Sequence, residues 1–361
     1  MIMNTWCKAA YFWAAMLIAV APLQAQTLKG AEAVVTVGWF GPLSGPVASL
    51  GEQNLRGIEL AIRAFKADRI KLIVEDDQFT VKNSVSAYEK LKAERPLIVL
   101  SPTYNGVLAL APKADRDRVL IANSLDASSE IAKAGELTLG LGYYADGHGA
   151  NFAKAISNHK AQRVAVFYNQ GESFTQLIVN AFKDSYAGKI VLVEGYNPAS
   201  SDFRASIIRM KRLNVDTVLL IGWDEAGLFV KQSNNVGFLP AIFGLASFTS
   251  PGFLSNAGKT SLDLYCLDWD SNSEEFQEIE RLYKQQYGQA PSQPLFVALG
   301  YDAMTLVLKA LERSGSPEEF QKNLFGISFK GLTGHYKLDS DGIVRGATSQ
   351  NKVVKLSNLA Y

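Results

Sequence analysis

Two hydrophobic patterns alternate along most of the chain. Short runs of apolar, often β-branched residues are followed by longer stretches in which apolar residues recur every three or four positions. The runs are typical of strands in a parallel sheet covered on both faces, and the longer stretches are typical of amphipathic helices. This alternation predicts an α/β fold. The predicted strands are 34–38, 70–75, 97–100, 119–122, 164–168, 190–195, 217–222, 241–244 and 262–267, and the predicted helices include 52–66, 81–94, 173–186, 201–213 and 226–236.

The number of strands is too large for one open sheet of ordinary size. We therefore predict two doubly wound lobes, divided near residues 143–156, where a strand pattern ends in polar and Gly residues. The last third of the chain departs from the alternation, because residues 273–326 hold three helical patterns in succession, and short strands with an Asp-Gly turn at Asp341 follow. We expect this part to return to an already formed lobe and to pack helices on it.

The composition excludes some classes of protein. With 361 residues the chain can build two domains, each with a sizeable core. Charged residues make up 20% of the sequence and the formal net charge is +1. A nucleic-acid-binding protein would usually carry a basic excess, so no nucleic-acid partner is expected.

The first 25 residues have the order of a secretory signal peptide, with Lys8 ahead of an uncharged apolar stretch at 9–23. We predict cleavage after Ala25 and a periplasmic location. The alternative is an uncleaved N-terminal anchor, although the apolar stretch is short for a membrane span, which needs about 20 residues. Cleavage leaves Cys266 as the only cysteine, which excludes a disulfide within the mature chain.

The segment between the first strand and the first helix, residues 41–51, consists almost only of Gly, Pro, Ser and Ala, with no long polar side chain before Glu52. In open α/β sheets, ligands bind beside the loops at the carboxyl ends of the strands, so small residues here favour a close approach of a ligand to the backbone. The loop lacks the Lys and Ser/Thr of a phosphate-binding loop and the GxGxxG spacing of a dinucleotide site, which excludes both. The alternative is a tight packing turn that touches no ligand.

Four separated segments carry a common likeness. They are VTVGWFGPLSGPVASLGEQNLRGIELAI (35–62), LIVEDDQFTVKNSVSAYEKL (72–91), LGYDAMTLVLKALERSGS (299–316) and FKGLTGHYKLDSDGIVRG (329–346). All four resemble the leucine/isoleucine/valine-binding family of periplasmic solute-binding proteins, in order and over essentially the whole mature chain. One such segment would be weak evidence, but four in register make a strong case.

The resemblance implies the type I periplasmic binding protein fold, in which two Rossmann-like lobes are joined by three crossover strands. It also implies an extracytoplasmic receptor, expected to be a monomer, that closes around a small molecule and delivers it to the permease and ATPase subunits of an ABC importer. Hinge strands are expected near Tyr144, 268–270 and 345–346. The implied first lobe comprises 27–144 plus 270–344, and the second comprises 145–269 plus 345–361.

The resemblance further indicates ligand-binding loops in the first lobe. In the family, small hydroxyl side chains of these loops hold the carboxylate of the ligand. The corresponding positions fall on Tyr104 or Asn105 in one loop and on Ala127 in the next. Asp126 and Ser128 flank Ala127. A carboxylate at Asp126 would repel the carboxylate of a ligand. The difference from the family at this loop therefore concerns the choice of ligand and not the fold.

In the second lobe of amino-acid binders, an acidic residue receives the ammonium group of the ligand, and the matching position is Ala246. Losing such a charge-assisted hydrogen bond costs about 1.5–3 kcal/mol, unless Asp126 or Asp224 replaces it. The simpler interpretation is a ligand that is not an ordinary α-amino acid. Aromatic side chains at the site favour a flat or apolar ligand, such as an aromatic acid or an amide, although half of these rings are equally compatible with a hinge or core position. They are Tyr104, Tyr144, Phe174, Trp223 and Phe248.

Two other classes of function compete with transport. An enzyme is disfavoured because the three histidines lack metal-ligand spacing and no GxSxG motif occurs. The Asp76-Asp77 pair lies where the family carries acidic residues for structural reasons, so no catalytic residue, metal or cofactor is expected. A periplasmic sensor that presents its closed form to a membrane signalling receptor needs the same cleft and remains an alternative.

Overall fold

The computed structural model describes residues 34–269, 272–347 and 351–356, and the predicted signal peptide lies outside them. Strands and helices alternate in the described chain as the hydrophobic pattern predicts. In chain order the elements are β1 (Val35–Gly41), α1 (Ala48–Ala64), β2 (Ile70–Asp76), α2 (Val81–Ala93), β3 (Ile98–Ser101), α3 (Tyr104–Asp117), β4 (Ile121–Asn123), β5 (Asp126–Ala127), a 3₁₀ helix (Ile131–Lys133), β6 (Thr138–Gly140), β7 (Tyr143–Tyr144), α4 (Asp146–Asn158), β8 (Val164–Asn169), α5 (Ser173–Ser185), β9 (Ile190–Tyr196), α6 (Arg204–Arg212), β10 (Thr217–Ile221), α7 (Ala226–Asn235), β11 (Ala241–Leu245), a 3₁₀ helix (Ala246–Thr249), α8 (Pro251–Ala257), β12 (Leu264–Trp269), α9 (Glu274–Tyr287), α10 (Pro294–Glu312), α11 (Pro317–Leu324), β13 (Ser328–Lys330), β14 (His335–Lys337) and β15 (Asn351–Lys355).

Two separate sheets share one strand order. The first sheet has the order β2-β1-β3-β4-β6, and the second has the order β9-β8-β10-β11-β12 with β15 antiparallel at its edge. In each sheet the chain begins at an inner strand and winds outward in both directions, which places helices on both faces. The predicted α/β class with two doubly wound lobes is confirmed.

Helices α1 and α10 pack very closely in the first lobe. A Cβ atom at Gly57 would lie 2.0 Å from the carbonyl oxygen of Val297, and a Cβ atom at Gly300 would lie 2.1 Å from that of Asn54. Only glycine permits such an approach of two backbones. Helix α10 is long and apolar enough to cross a membrane, but most of it is buried within the protein, so it is a core helix.

The last third of the chain packs mainly on the first sheet. Phe320 and Tyr336 lie in the same apolar cluster as Val35 and Val37 of β1. Strand β15 instead pairs with β12 of the second sheet. The residue-level boundaries of the two lobes stay a prediction.

The chain passes between the two sheets three times, before α4, after β12 and between β14 and β15. Two of the three predicted hinge segments contact each other, because the Arg345 guanidinium lies 5.4 Å from the centre of the Tyr144 ring. The third predicted hinge, 268–270, is described only as far as Trp269.

Candidate functional site

A small cavity lies between the two lobes. The volume open to the centre of a water-sized sphere is about 40 Å³. Most of its lining is apolar, and both lobes contribute side chains. The lining residues are Leu125, Asp126, Tyr143, His148, Phe174, Trp223, Leu245, Ala246, Leu267, Leu295, Phe296 and Leu299.

The two-residue ladder of β5 and β7 decides which side chains face the cavity. Asp126 pairs with Tyr143, and Ala127 pairs with Tyr144. Side chains of successive strand residues point to opposite faces, so each pair shares a face and the two pairs point in opposite directions. Asp126 and Tyr143 line the cavity. The structure places Ala127 against Gly140 and Tyr144 under Arg345, so these two predicted site residues lie outside the cavity.

Asp126 is the one acidic residue in the described lining, which contains no Lys or Arg. Its backbone N–H donates to Asn123 Oδ1 at 2.7 Å, which fixes the residue in its loop. The residue is 7% exposed, and burial raises the pKa of its carboxyl group well above the usual range. The cavity therefore combines apolar walls with one carboxyl group.

His148 contributes a neutral imidazole to the cavity wall. Its Nδ1 lies 3.2 Å from the carbonyl oxygen of Tyr144, and its ring meets the Tyr143 ring edge to face at 4.0 Å. Burial lowers the pKa of His148 to about 3. The histidine therefore carries no charge at neutral pH and offers a ligand hydrogen bonding only.

Phe174 and Trp223 form the aromatic wall of the cavity, and Phe79 of the first lobe packs on Trp223. Phe174 and Trp223 are nearly parallel, with ring centres 6.0 Å apart and an interplanar angle of 17°. Phe79, from the loop before α2, meets Trp223 edge to face at 5.8 Å. Gln78 and Phe79 have positive φ angles of 51° and 58°, a strained conformation for residues other than glycine. The Phe79 ring contacts Trp223 across the cleft.

The predicted carboxylate anchors of the first lobe do not face the cavity. The Tyr104 hydroxyl contacts Ser128 Oγ at 2.6 Å and donates to Glu130 Oε2 at 3.0 Å. Ser128 Oγ also accepts a hydrogen bond from the backbone N–H of Ile131 at 3.0 Å. These groups satisfy one another, so Tyr104 and Ser128 stabilise the wall behind the site.

Asn105 joins the two lobes directly. Its side-chain amide donates to the carbonyl oxygen of Gly171, and its Oδ1 accepts from the backbone N–H of Ser173, both at 3.3 Å. The Tyr104 and Phe174 rings also meet across the cleft, with centres 5.5 Å apart. The lobes are therefore closed on each other in this structure.

On the second lobe, Ala246 lines the cavity and brings no charge to it. Asp224, a possible substitute for the missing anchor, accepts a hydrogen bond from Ser250, the N-cap residue of α8, and does not line the cavity. Phe248 is fully buried and stacks on Phe253 at 4.3 Å. The prediction that Phe248 faces the ligand is wrong, because its ring fills the core of the second lobe above Gly244.

The loop at 41–51 is a packing turn. None of its residues lines the cavity, and a Cβ atom at Gly51 would lie 2.0 Å from the carbonyl oxygen of Pro42. Asp76 accepts hydrogen bonds from the Leu43 backbone N–H at 2.9 Å and the Ser44 hydroxyl at 2.5 Å. Its small residues serve the tight contact between β1, α1 and Asp76, and the close approach of a ligand to this loop stays a prediction.

A family model described as "Periplasmic binding protein" matches residues 34–350. The chain belongs to the periplasmic binding protein family. The Leu/Ile/Val-binding protein BraC3 of Rhizobium johnstonii is 28% identical to this binding protein over 227 residues, which are 59% of this chain and 62% of that relative. The predicted resemblance to the Leu/Ile/Val-binding proteins is confirmed.

Solved structures show the same fold. The substrate-binding protein LivJ of Streptococcus pneumoniae, in complex with isoleucine, superposes with a TM-score of 0.80 at 21% identity and covers 89% of this binding protein and 99% of its own chain. A solute-binding protein of R. palustris in complex with benzoate superposes with a TM-score of 0.77 at 18% identity. The match covers 91% of this binding protein and 96% of the R. palustris chain. Both results confirm the predicted type I fold.

Sequence reasoning missed several lining residues of the binding protein. Leu295, Phe296 and Leu299 come from the first turns of α10, whose amphipathic pattern shows that it is a core helix but not which end reaches the cleft. Tyr143 and His148 lie beside the predicted crossover at Tyr144. The alternation of side chains along β7 is the signal that would have selected Tyr143.

Proposed function

We propose that this binding protein is the extracytoplasmic receptor of an ABC importer and that it is exported by its N-terminal signal peptide. It closes two lobes over a small organic molecule, carries out no reaction on it, and presents the closed form to permease and ATPase subunits. The observation that supports this is a cavity lined from both lobes, with contacts such as those of Asn105 bridging its rim.

The ligand is not an ordinary α-amino acid. The second lobe has Ala246 where an ammonium partner is expected, and Asp224 is bound to Ser250. In the first lobe, Tyr104 is occupied by Ser128 and Glu130. An α-amino acid would bring a buried carboxylate into a lining whose described residues include no cation, and burying such an unpaired charge is costly.

Of the two ligand types that the sequence favours, the lining supports an amide better than an aromatic acid. Apolar side chains and the rings of Phe174 and Trp223 suit a flat or apolar body. The complexes of LivJ with isoleucine and of the R. palustris protein with benzoate indicate that this fold accommodates both amino acids and aromatic acids. The choice for this chain rests on Asp126, which disfavours an anion.

We expect ligand binding to contract the molecule. A ligand that touches both lobes stabilises the closed state by its additional contacts there, so an open unliganded population should shift towards closure. A panel of amino acids, aromatic carboxylates and amides is first screened by thermal shift. Small-angle scattering with a stabilising compound should then show a smaller radius of gyration. An unchanged radius together with proven binding would contradict closure as the mechanism.

Replacing Trp223 with Ala should weaken binding of a stabilising compound by at least about 1 kcal/mol, or roughly fivefold, because the wall would lose its largest ring. Isothermal titration calorimetry measures the change. The Trp223→Phe variant keeps an aromatic ring beside Phe174 and should retain most of the affinity. If Trp223→Ala binds as tightly as the wild type, Trp223 is a core residue and not part of the site.

A further inference from the structure

We propose that the Asp126 carboxylate is the polar anchor of the ligand and selects a group with N–H donors, an ammonium or a primary amide, over a carboxylate. This inference rests on the proposed function, and it assigns a chemical class to the polar end of the ligand.

The backbone holds Asp126 in one position at the cavity wall. Asn123 Oδ1 accepts hydrogen bonds from the backbone N–H groups of Leu125 at 3.0 Å and Asp126 at 2.7 Å. The pairing of Asp126 with Tyr143 directs both side chains to the same face, where both line the cavity. The carboxyl group is thus placed in advance of ligand binding, as a specific anchor requires.

In the described part of the chain, the carboxyl groups of the other buried aspartates accept hydrogen bonds, and that of Asp126 accepts none. Asp77 accepts from Ser84 Oγ at 2.8 Å and Phe79 N at 2.9 Å, and Asp302 accepts three hydrogen bonds from Leu332 and Thr333. Within the part of the chain that the structure describes, no group donates to the Asp126 carboxylate. A buried carboxyl group without a donor destabilises a fold, so a donor supplied by the ligand explains its place here.

The other polar atoms around the cavity also leave room for an N–H group. Among the described residues, the Tyr143 hydroxyl and the Trp223 Nε1–H have no hydrogen-bond partner, so the hydroxyl can accept from an N–H group and the indole N–H can donate to the carbonyl oxygen of an amide. Because Nδ1 of the neutral His148 faces the Tyr144 carbonyl, its Nε2 is left as an acceptor. Burial, with smaller contributions from the nearby Asp268 and Asp126, raises the pKa of Tyr143. An ammonium or amide brings the N–H donors that the Asp126 carboxyl group lacks, whereas a carboxylate brings none and would lie beside a second acid group.

Three probes with one ring and different polar ends test the selection. Benzylamine, benzamide and benzoate are titrated into the full mature protein by calorimetry. We expect benzylamine or benzamide to bind at least about tenfold more tightly than benzoate. The free energy of one hydrogen bond to a charged group corresponds to a roughly tenfold or larger change in affinity. In Asp126→Asn this preference should fall by at least about tenfold. Tighter binding of benzoate in the wild type, or an unchanged preference in Asp126→Asn, would overturn the proposal.

A second measurement needs no ligand. If Asp126 is an unpaired anchor, Asp126→Asn and Asp126→Leu should both raise the Tm of the unliganded protein by a few degrees, because each removes a buried carboxyl group that lacks a hydrogen-bond donor. The matched control, Asp224→Asn, removes a carboxylate that is bound to Ser250 and should lower the Tm. A lower Tm in both Asp126 variants would show a structural role and overturn the proposal. Failure of all three probes to bind would count against the ring-bearing ligand of the proposed function, while the Tm comparison still decides the role of Asp126.

Discussion

Replacing Gly57 with Ala should lower the free energy of unfolding by about 3 kcal/mol, at the upper end of overpacking costs. A single added methyl group has this effect because it would lie 2.0 Å from the carbonyl oxygen of Val297 and 2.9 Å from the backbone nitrogen of Tyr301. Both neighbours are backbone atoms, so no side-chain rotation relieves the contact and α1 must move away from α10. Thermal and urea denaturation of the two proteins measure the loss.

The matched control is Gly147→Ala, which also places Ala in a helix. The nearest atom to a Cβ at Gly147 is a ring carbon of Tyr144 at 3.7 Å, an ordinary contact. Alanine is the better helix former by about 1 kcal/mol, so this variant should be as stable as the wild type or slightly more stable. Equal losses in Gly57→Ala and Gly147→Ala would contradict the close approach of α1 and α10.

The Gly57→Ala change should also weaken ligand binding. Helix α10 begins at the cavity, where Leu295, Phe296 and Leu299 form part of the wall, and Val297 lies between them at the contact with Gly57. A displaced α10 therefore enlarges or distorts the cavity without any change to a lining residue. We expect weaker binding together with lower stability, whereas a contact far from the site would affect stability alone.

The strands and helices of the two sheets were predictable because several apolar residues, and not one, mark each of these elements. All nine predicted strands are present, with ends that lie within about three residues of the structure, because a buried strand needs several consecutive apolar residues. The start of α1 was the largest error among the listed helices. It lies at Ala48 and not at residue 52, because the small residues after the turn continue the helix. Strands β5 and β7, with two residues each, carry no pattern of their own.

The candidate site was less predictable because single residues decide it. Trp223, Phe174, Ala246 and Asp126 line the cavity, but the predicted neighbours of Asp126 do not. If the register between β5 and β7 shifted by one residue, the side chains that now face the cavity would face the core, and those in the core would face the cavity. Sequence likeness locates the loop but not this register, so Ala127 was chosen in place of a cavity position. The ring of Phe248 was misplaced for a similar reason, since a composition rich in aromatics does not separate core from cleft.

Asp302 should make stability depend on pH. The residue is 1% exposed and its carboxyl group accepts hydrogen bonds from the backbone N–H groups of Leu332 and Thr333, yet burial raises its pKa from 3.8 to about 7. The folded protein then keeps a proton that the unfolded chain releases above about pH 4. The stability that this proton provides is present below the unfolded pKa and is lost as the pH rises through about 7. A pKa change of this size corresponds to about 4 kcal/mol.

His148 acts in the opposite direction and would hide this effect in the wild type alone. Burial lowers its pKa from 6.5 to about 3, so the stability that it contributes is present above pH 6.5 and is lost as the pH falls towards 3. Burial raises the pKa of Glu172 to about 7, so its contribution to stability is lost with rising pH, as is that of Asp302. A pH profile of the wild type therefore sums contributions that oppose each other.

Comparison with Asp302→Asn isolates the Asp302 contribution, because His148 and Glu172 are common to both proteins and cancel in the difference. Asparagine cannot ionise, and its amide N–H₂ group would face one of the donors of Leu332 and Thr333, so the variant should be less stable at pH 4. As the pH rises to 8, the wild type loses the stability of its extra proton and the variant does not. The advantage of the wild type in unfolding free energy, measured by urea denaturation at each pH, should shrink by about 4 kcal/mol over this range. A difference that stays constant would mean that Asp302 is ionised in the folded protein throughout, with its three donors outweighing the cost of burial.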